Sequence, residues 1–222
     1  MEYRFSGRVL ELKPSAIREI FKYAADPQVI SLSAGNPAPE AFPIREISEI
    51  SAKILAEHPV DVLQYGTTEG YAPLRQHLKT YLNEKLGIGT EQDGLIITSG
   101  AQQVMDLFAK SMLNEGDTVV CEAPSFIGAL NTYRSFCGKL RGVPMEPDGI
   151  SLEGLEQALK EEKRAKFIYT IPNFQNPTGT TMSLAKRRGM YALAKKYGVM
   201  ILEDNPYGDL RFAGEDVPAI KS

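Results

Sequence analysis

Four short segments of this 222-residue chain each follow an apolar run and carry side chains able to grip a small charged molecule. Ser99-Gly100-Ala101-Gln102-Gln103 places small residues at a strand-to-helix turn, where backbone N–H groups and a helix N-terminus attract an anion such as phosphate. Its plainer reading is an ordinary turn with Ser99 as N-cap, since it matches neither the dinucleotide fingerprint nor a Walker loop. Glu122-Ala123-Pro124-Ser125-Phe126 sets an aromatic just past a strand end, where it either stacks on a flat heterocycle or begins a helix as a core residue. Pro172-Asn173-Phe174-Gln175-Asn176-Pro177-Thr178-Gly179-Thr180 is a turn stiffened by prolines and a glycine, from which Asn176 presents its amide on a fixed backbone. Glu203-Asp204-Asn205-Pro206-Tyr207 follows another apolar run. There the Asp204 carboxylate either holds a protonated ring nitrogen through a charge-assisted bond or caps a turn beneath Tyr207. Each segment alone is weak. Together they supply an anion cup, a stacking face, an amide donor and a carboxylate beside a phenol.

These segments need elements to bring them to one place. Helical spacing marks Ile44 to Ala56, Leu74 to Leu82 (with Pro73 near its start and Gly87 beyond its end), Gln102 to Leu113, Phe126 to Phe136 and Leu184 to Tyr197. Short apolar runs at 95–98, 118–121, 167–171 and 199–202 read as buried strands. Alternating helices and near-continuous apolar strands predict an α/β domain with a mostly parallel central sheet covered by helices on both faces. In open sheets of this kind ligands lie outside the carboxyl ends of the strands, where the four segments fall. Before this domain, a helix around 17–24, a strand at 29–33 and a proline-rich loop to Pro43 read as an arm. The expected division is therefore an arm at 1–43 and a large domain at 44–222. Asp209 to Phe212 reads as a further strand, and the close at Val217 to Ser222 without a final element suggests that the large domain is truncated.

Composition narrows the classes. With 43% hydrophobic and 24% charged residues the chain sits near the globular average, which excludes a disordered, collagenous or disulfide-framework protein. A net charge of -3 gives no basic bias toward nucleic acid. Two cysteines fit a reducing compartment, Met1-Glu2-Tyr3-Arg4 is no signal peptide, and no run approaches a membrane span, so a cytoplasmic protein is expected. No metal site is drawn.

The order Leu63-Gln64-Tyr65, Thr98 to Gln103, Asn176-Pro177-Thr178-Gly179 and Glu203 to Tyr207 resembles the fold-type I pyridoxal 5′-phosphate (PLP) enzymes of the class I/II aminotransferase family. With the opening Ile30-Ser31-Leu32-Ser33-Ala34-Gly35, it looks most like the 2-aminoadipate and kynurenine aminotransferase branch. The resemblance runs from about residue 13 to the last residue. It implies that Ala101 and Gln102 bind the cofactor phosphate through backbone N–H groups and that Phe126 stacks on the pyridine ring, where many relatives have tyrosine. Asn176 and Tyr207 would bond the ring's phenolic oxygen, and Asp204 the pyridinium nitrogen. Tyr65 would reach the phosphate of a partner subunit, which implies a homodimer. Gly35 and Asn36 would line the substrate pocket. Arg18 would contact the substrate from the N-terminal helix, or else be a solvated helix-face charge.

The same resemblance calls for a Schiff-base lysine in a Ser-x-x-Lys-type segment beyond Tyr207, and further on for an arginine that grips the substrate carboxylate. Neither is found. Lys221 is the only lysine after Asp204, in a stretch that relatives use as a linker. The expectation is a parent enzyme that moves an amino group between an amino acid and a 2-oxo acid, with no catalytic residue in this chain and little or no turnover by it alone. Two alternatives remain open: the effector-binding domain of a transcription regulator, and a PLP-dependent carbon–sulfur lyase.

Overall fold

A computed structural model describes residues 3–10, 28–30 and 37–222. The chain packs as two compact units, 1–12 with 73–222, and 13–72. The expected boundary between residues 43 and 44 falls inside the second. That unit contains helices α1 (Ile44–Glu57) and α2 (Pro59–Leu63). The helix expected around 17–24 and positions 31–33 of the expected strand lie outside the described residues.

The larger unit holds α3 (Ala72–Leu86), α4 (Ala101–Met112), β1 (Thr118–Ala123), α5 (Ile127–Ser135), β2 (Lys139–Glu146), β3 (Gly149–Ile150), α6 (Leu152–Glu161), β4 (Ala165–Thr170), α7 (Leu184–Tyr197) and β5 (Met200–Glu203). The sheet order is β3-β2-β1-β4-β5. All pairings are parallel except β2 with β3. The α/β architecture expected from the sequence is therefore observed.

Period-two alternation sorts the central strands onto two apolar faces. Val120, Val143 and Ile168 pack with Leu155, Leu159 and Met190 under α6 and α7. Val119, Cys121, Phe167, Tyr169 and Ile171 pack with Met105, Ala109, Ala129 and Tyr133 under α4 and α5. The second face carries a chain of edge-to-face rings, Phe108–Phe167–Tyr133–Tyr169, with centroids 4.9, 5.2 and 5.6 Å apart. Such contacts add about 0.5–1.5 kcal/mol each beyond burial.

Two sequence expectations are corrected. Residues 95–98 are not a strand: the segment forms no ladder with any strand among the described residues, although the outer edge of β5 is unpaired there. The Leu95 carbonyl accepts instead from Arg75 Nε at 2.8 Å. Gly208–Leu210 forms a 3-10 turn where a strand was expected from Asp209. Conversely, β2 and α6 are not among the expected elements. β2 is interrupted by Gly142 and Pro144 and studded with charge, and pairing with β1 defines it. α6 does carry a signal, with Leu152, Leu155 and Leu159 at helical spacing after the Ser151 N-cap, whose hydroxyl accepts from Gly154 N.

One buried side chain ties the carboxyl edge together. Arg187 of α7 is 1% exposed. It donates from Nε to Met182 O (3.0 Å), from Nη1 to Val217 O (3.2 Å) and Pro218 O (3.0 Å), and from Nη2 to Pro172 O (3.0 Å) and Asn173 Oδ1 (2.7 Å). Arg187→Met would leave the buried Asn173 Oδ1 and Met182 O without this donor and free the 217–218 carbonyls, each buried unsatisfied group costing about 1–3 kcal/mol. The expected loss of stability is at least about 3 kcal/mol in urea unfolding, and Arg187→Lys should not restore it, because an ammonium lacks the planar fork.

Candidate functional site

Loops leaving β1, β4 and β5 emerge side by side, because the three strands are parallel neighbours. In the β4–β5 register Tyr169 faces Leu202 and Thr170 faces Glu203. Asp204 is two residues beyond Leu202, so alternation puts it on the α4–α5 face with Tyr169. The Tyr169 hydroxyl donates to Asp204 Oδ2 at 2.8 Å, and Asp204 N donates to Thr170 O at 2.9 Å. Oδ1 of Asp204 takes no hydrogen bond among the described residues.

The β4 loop is the middle member and bonds to both neighbours. Asn173 Nδ2 donates to Asn205 Oδ1 at 2.8 Å, and Asn176 Nδ2 to Tyr207 Oη at 3.1 Å. Gln175, between them, turns the other way and donates to Glu122 Oε2 (3.0 Å) and Pro124 O (2.9 Å). Its Oε1 accepts from Thr178 N and Oγ1 at 3.0 and 2.8 Å, which closes the turn around Asn176.

Helix α4 runs into β1 through a short loop, so its N-terminus lies toward the carboxyl end of β1. Its N-cap is Gly100, not Ser99. Gly100 has φ +78, a conformation natural to glycine, and no side chain caps the helix. The first N–H groups of Ala101 and Gln102 are thus free of side-chain caps. The Gln102 side chain donates to Thr132 Oγ1 and fastens α4 to α5. Phe126 is the N-cap of α5, and its ring lies so close over Gly128 that a Cβ there would come within 2.5 Å of it.

Two carboxylates, one buried and one half-buried, make the site acidic. Glu122 is buried and accepts from Thr170 Oγ1 (2.6 Å), Ile171 N (3.3 Å) and Gln175, yet burial holds its carboxyl above the ordinary glutamate range. Burial likewise pushes Asp204 up, against the pull of the Tyr169 bond. Neither forms an ion pair among the described residues. Burial raises the Cys121 thiol to about 12, so it is inert at neutral pH.

The larger unit therefore brings together Phe126, Asn176, Asp204 and Tyr207 at one sheet edge, with Ala101 and Gln102 at the adjacent helix end. Tyr65 is fully exposed and belongs to the other unit. Arg18, Gly35 and Asn36 lie outside the described residues. Lys221 is engaged elsewhere: its Nζ pairs with Asp93 Oδ1 at 2.8 Å, and its N–H donates to Glu203, on the opposite face from Asp204. Sequence reasoning missed Glu122, Tyr169 and Gln175 as bracing residues. Their signal was polarity inside or beside an apolar strand, which singles out a residue only once its partner is known.

Fold and site together define an α/β protein with a polar constellation at the carboxyl edge of a parallel sheet. Residues 27–221 match the aminotransferase class I and II family, and the chain belongs to that family. It is 41% identical to aromatic-amino-acid aminotransferase 1 of Thermococcus litoralis over 100% of this chain and 54% of that protein. Identity to the 2-aminoadipate transaminase of Thermus thermophilus is 39%, over 97% of this chain and 52% of that one. Kynurenine aminotransferase of Pyrococcus horikoshii, solved with PMP and kynurenine, superposes with TM-score 0.91 at 39% identity, covering 98% of this chain and 55% of that structure. The chain spans about half the length of these relatives. They fall in the branch that the sequence resembles.

Because the folded Asp204 holds its proton to higher pH than an unfolded aspartate, its contribution to stability is present below the ordinary value of 3.8 and is lost as pH rises through the raised folded value. Asp204→Asn removes that loss. Its melting temperature should exceed the wild type's at pH 7 and converge with it toward pH 3, as thermal unfolding across pH will show.

Proposed function

We propose that this chain supplies the PLP cradle of an aminotransferase that moves an amino group between an amino acid and a 2-oxo acid. The observation that carries the reading is the half-buried Asp204 carboxylate, one oxygen tied to Tyr169 and the other unengaged among the described residues, beside the bonded pair Asn176–Tyr207. The donor set fits the cofactor: uncapped N–H groups at α4 for a phosphate, an aromatic ring at Phe126, and a carboxylate with no cation partner among the described residues. When bound, the pyridine ring supplies an electron sink for the substrate Cα.

The chain's own residues do the rest. Asp204 holds a proton on the ring nitrogen through a charge-assisted bond. Tyr207 accepts from Asn176, so its own O–H is free to donate to the ring's phenolic oxygen, and a second Asn176 N–H can do the same. Phe126 limits the ring to one plane, and the N–H groups of Ala101 and Gln102 fix the phosphate end. Arg18, Gly35 and Asn36 are assigned to the substrate, and Tyr65 to the phosphate of a partner copy in a homodimer. A cytoplasmic setting completes the proposal. Among the described residues no helix is long and apolar enough to cross a membrane.

The lysine that would anchor the cofactor is assigned outside this chain, which suits the engagement of Lys221 with Asp93. Purified chain titrated with PLP should perturb the cofactor's absorbance, and Asp204→Ala should weaken binding about tenfold or more. With an amino-acid panel and 2-oxoglutarate the chain should not turn over. Rates in the usual enzyme range of about 1–1,000 per second would overturn the division of labour. An unperturbed spectrum would overturn the cradle.

A further inference from the structure

We propose that Tyr169 is a positioning residue that fixes the Asp204 carboxylate with Oδ2 turned inward and Oδ1 presented to the ring nitrogen of the ligand. This rests on the cradle reading above and assigns that site a residue which none of the four loops contains.

The geometry is specific. Tyr169 lies on β4, between β1 and β5, is completely buried, and is packed edge-to-face by Tyr133 on its core side. Its hydroxyl therefore has one direction to point, and 2.8 Å along it lies Asp204 Oδ2. Asp204 is anchored at its backbone by the bond from its N–H to Thr170 O, on the residue next to Tyr169. One strand thus fixes both the main chain and one carboxylate oxygen of Asp204, leaving rotation about the carboxyl group blocked. A phenol donates to a carboxylate more strongly than to a neutral carboxyl, so the bond also favours the ionised form that a protonated nitrogen requires.

The titratable groups that interact with Asp204 among the described residues are Tyr169 on β4, Tyr133 on α5 and Glu122 on β1. None is a cation. Among the described residues the hydroxyl of Tyr169 is thus the side-chain group that offsets the cost of the Asp204 charge. Tyr133 provides an internal control. It sits in the same ring cluster, equally buried, and its hydroxyl has no partner.

The test compares wild type, Tyr169→Phe and Tyr133→Phe in the 222-residue chain. The Asp204 carboxyl is followed by carbon-13 NMR across pH and assigned through Asp204→Asn. In Tyr169→Phe the Asp204 midpoint should move to higher pH, and PLP affinity measured by absorbance should fall roughly tenfold. In Tyr133→Phe both should stay at wild-type values. A Tyr169→Phe midpoint that does not move, or an equal movement in Tyr133→Phe, overturns the assignment. If Tyr169→Phe fails to fold, wild-type protein labelled at tyrosine Cζ decides: the Tyr169 resonance follows the Asp204 midpoint if the bond exists and ignores it if not. A wild type that binds no PLP defeats the cradle reading, whereas the carboxyl titration still judges Tyr169 by itself.

Discussion

Burying a guanidinium without a carboxylate is costly unless every donor finds an oxygen, and Arg187 meets that condition with main-chain carbonyls and one amide. The constraint organises the carboxyl edge of the sheet. The oxygens belong to segments far apart in sequence, at 172–173, 182 and 217–218, so satisfying one side chain fixes where all of them run. Burial lowers the tendency of Arg187 to hold its proton, while the charge of Glu203 acts the other way. Glu203 in turn accepts from the N–H groups of Ile220 and Lys221. The strip at 217–221 is thereby pinned to the α6–α7 face, and the opposite face is left to the candidate site.

From Arg187 the ordering passes outward through amides. Asn173, which accepts from Arg187, donates to Asn205 and so couples the β4 loop to the β5 loop. Gln175 couples the same loop to β1 through Glu122 and Pro124. Asn176 emerges from a turn braced on both sides, which is how a polar side chain on a loop acquires a fixed direction. The arrangement places two carboxylates, Glu122 and Asp204, where burial disfavours their charge. Such groups lower stability at neutral pH and are retained where a ligand charge can use them.

Much of this could be read from residue types. The helices at 44–57, 72–86, 101–112, 127–135 and 184–197 followed from 3.6-residue spacing and from Pro73 and Gly87 at the ends of one of them. The strands β1, β4 and β5 followed from short apolar runs. The segment 95–98 looked equally strand-like and is not one, because an apolar run becomes a strand only when a ladder forms, and the Leu95 carbonyl is taken by the Arg75 side chain instead. β2 shows the converse: its glycine, proline and charges obscure a strand that β1 and β3 define by pairing on both sides.

By itself the sequence determined the class of fold, the family and the segments that form the candidate site, because these depend on local periodicity and on residue types in a fixed order. Only the tertiary structure decided which oxygen of Asp204 is engaged, that Gln175 turns toward β1 while Asn173 and Asn176 turn toward β5, and that Lys221 is held by Asp93. It also decided that the N-cap of α4 is Gly100 rather than Ser99. A hydrogen bond has a direction and a length set by two chain segments at once. Residues 35 to 128 positions apart, such as Tyr169 with Asp204 and Asp93 with Lys221, acquire that relation only when strand register and loop closure bring them to within 2.8 Å.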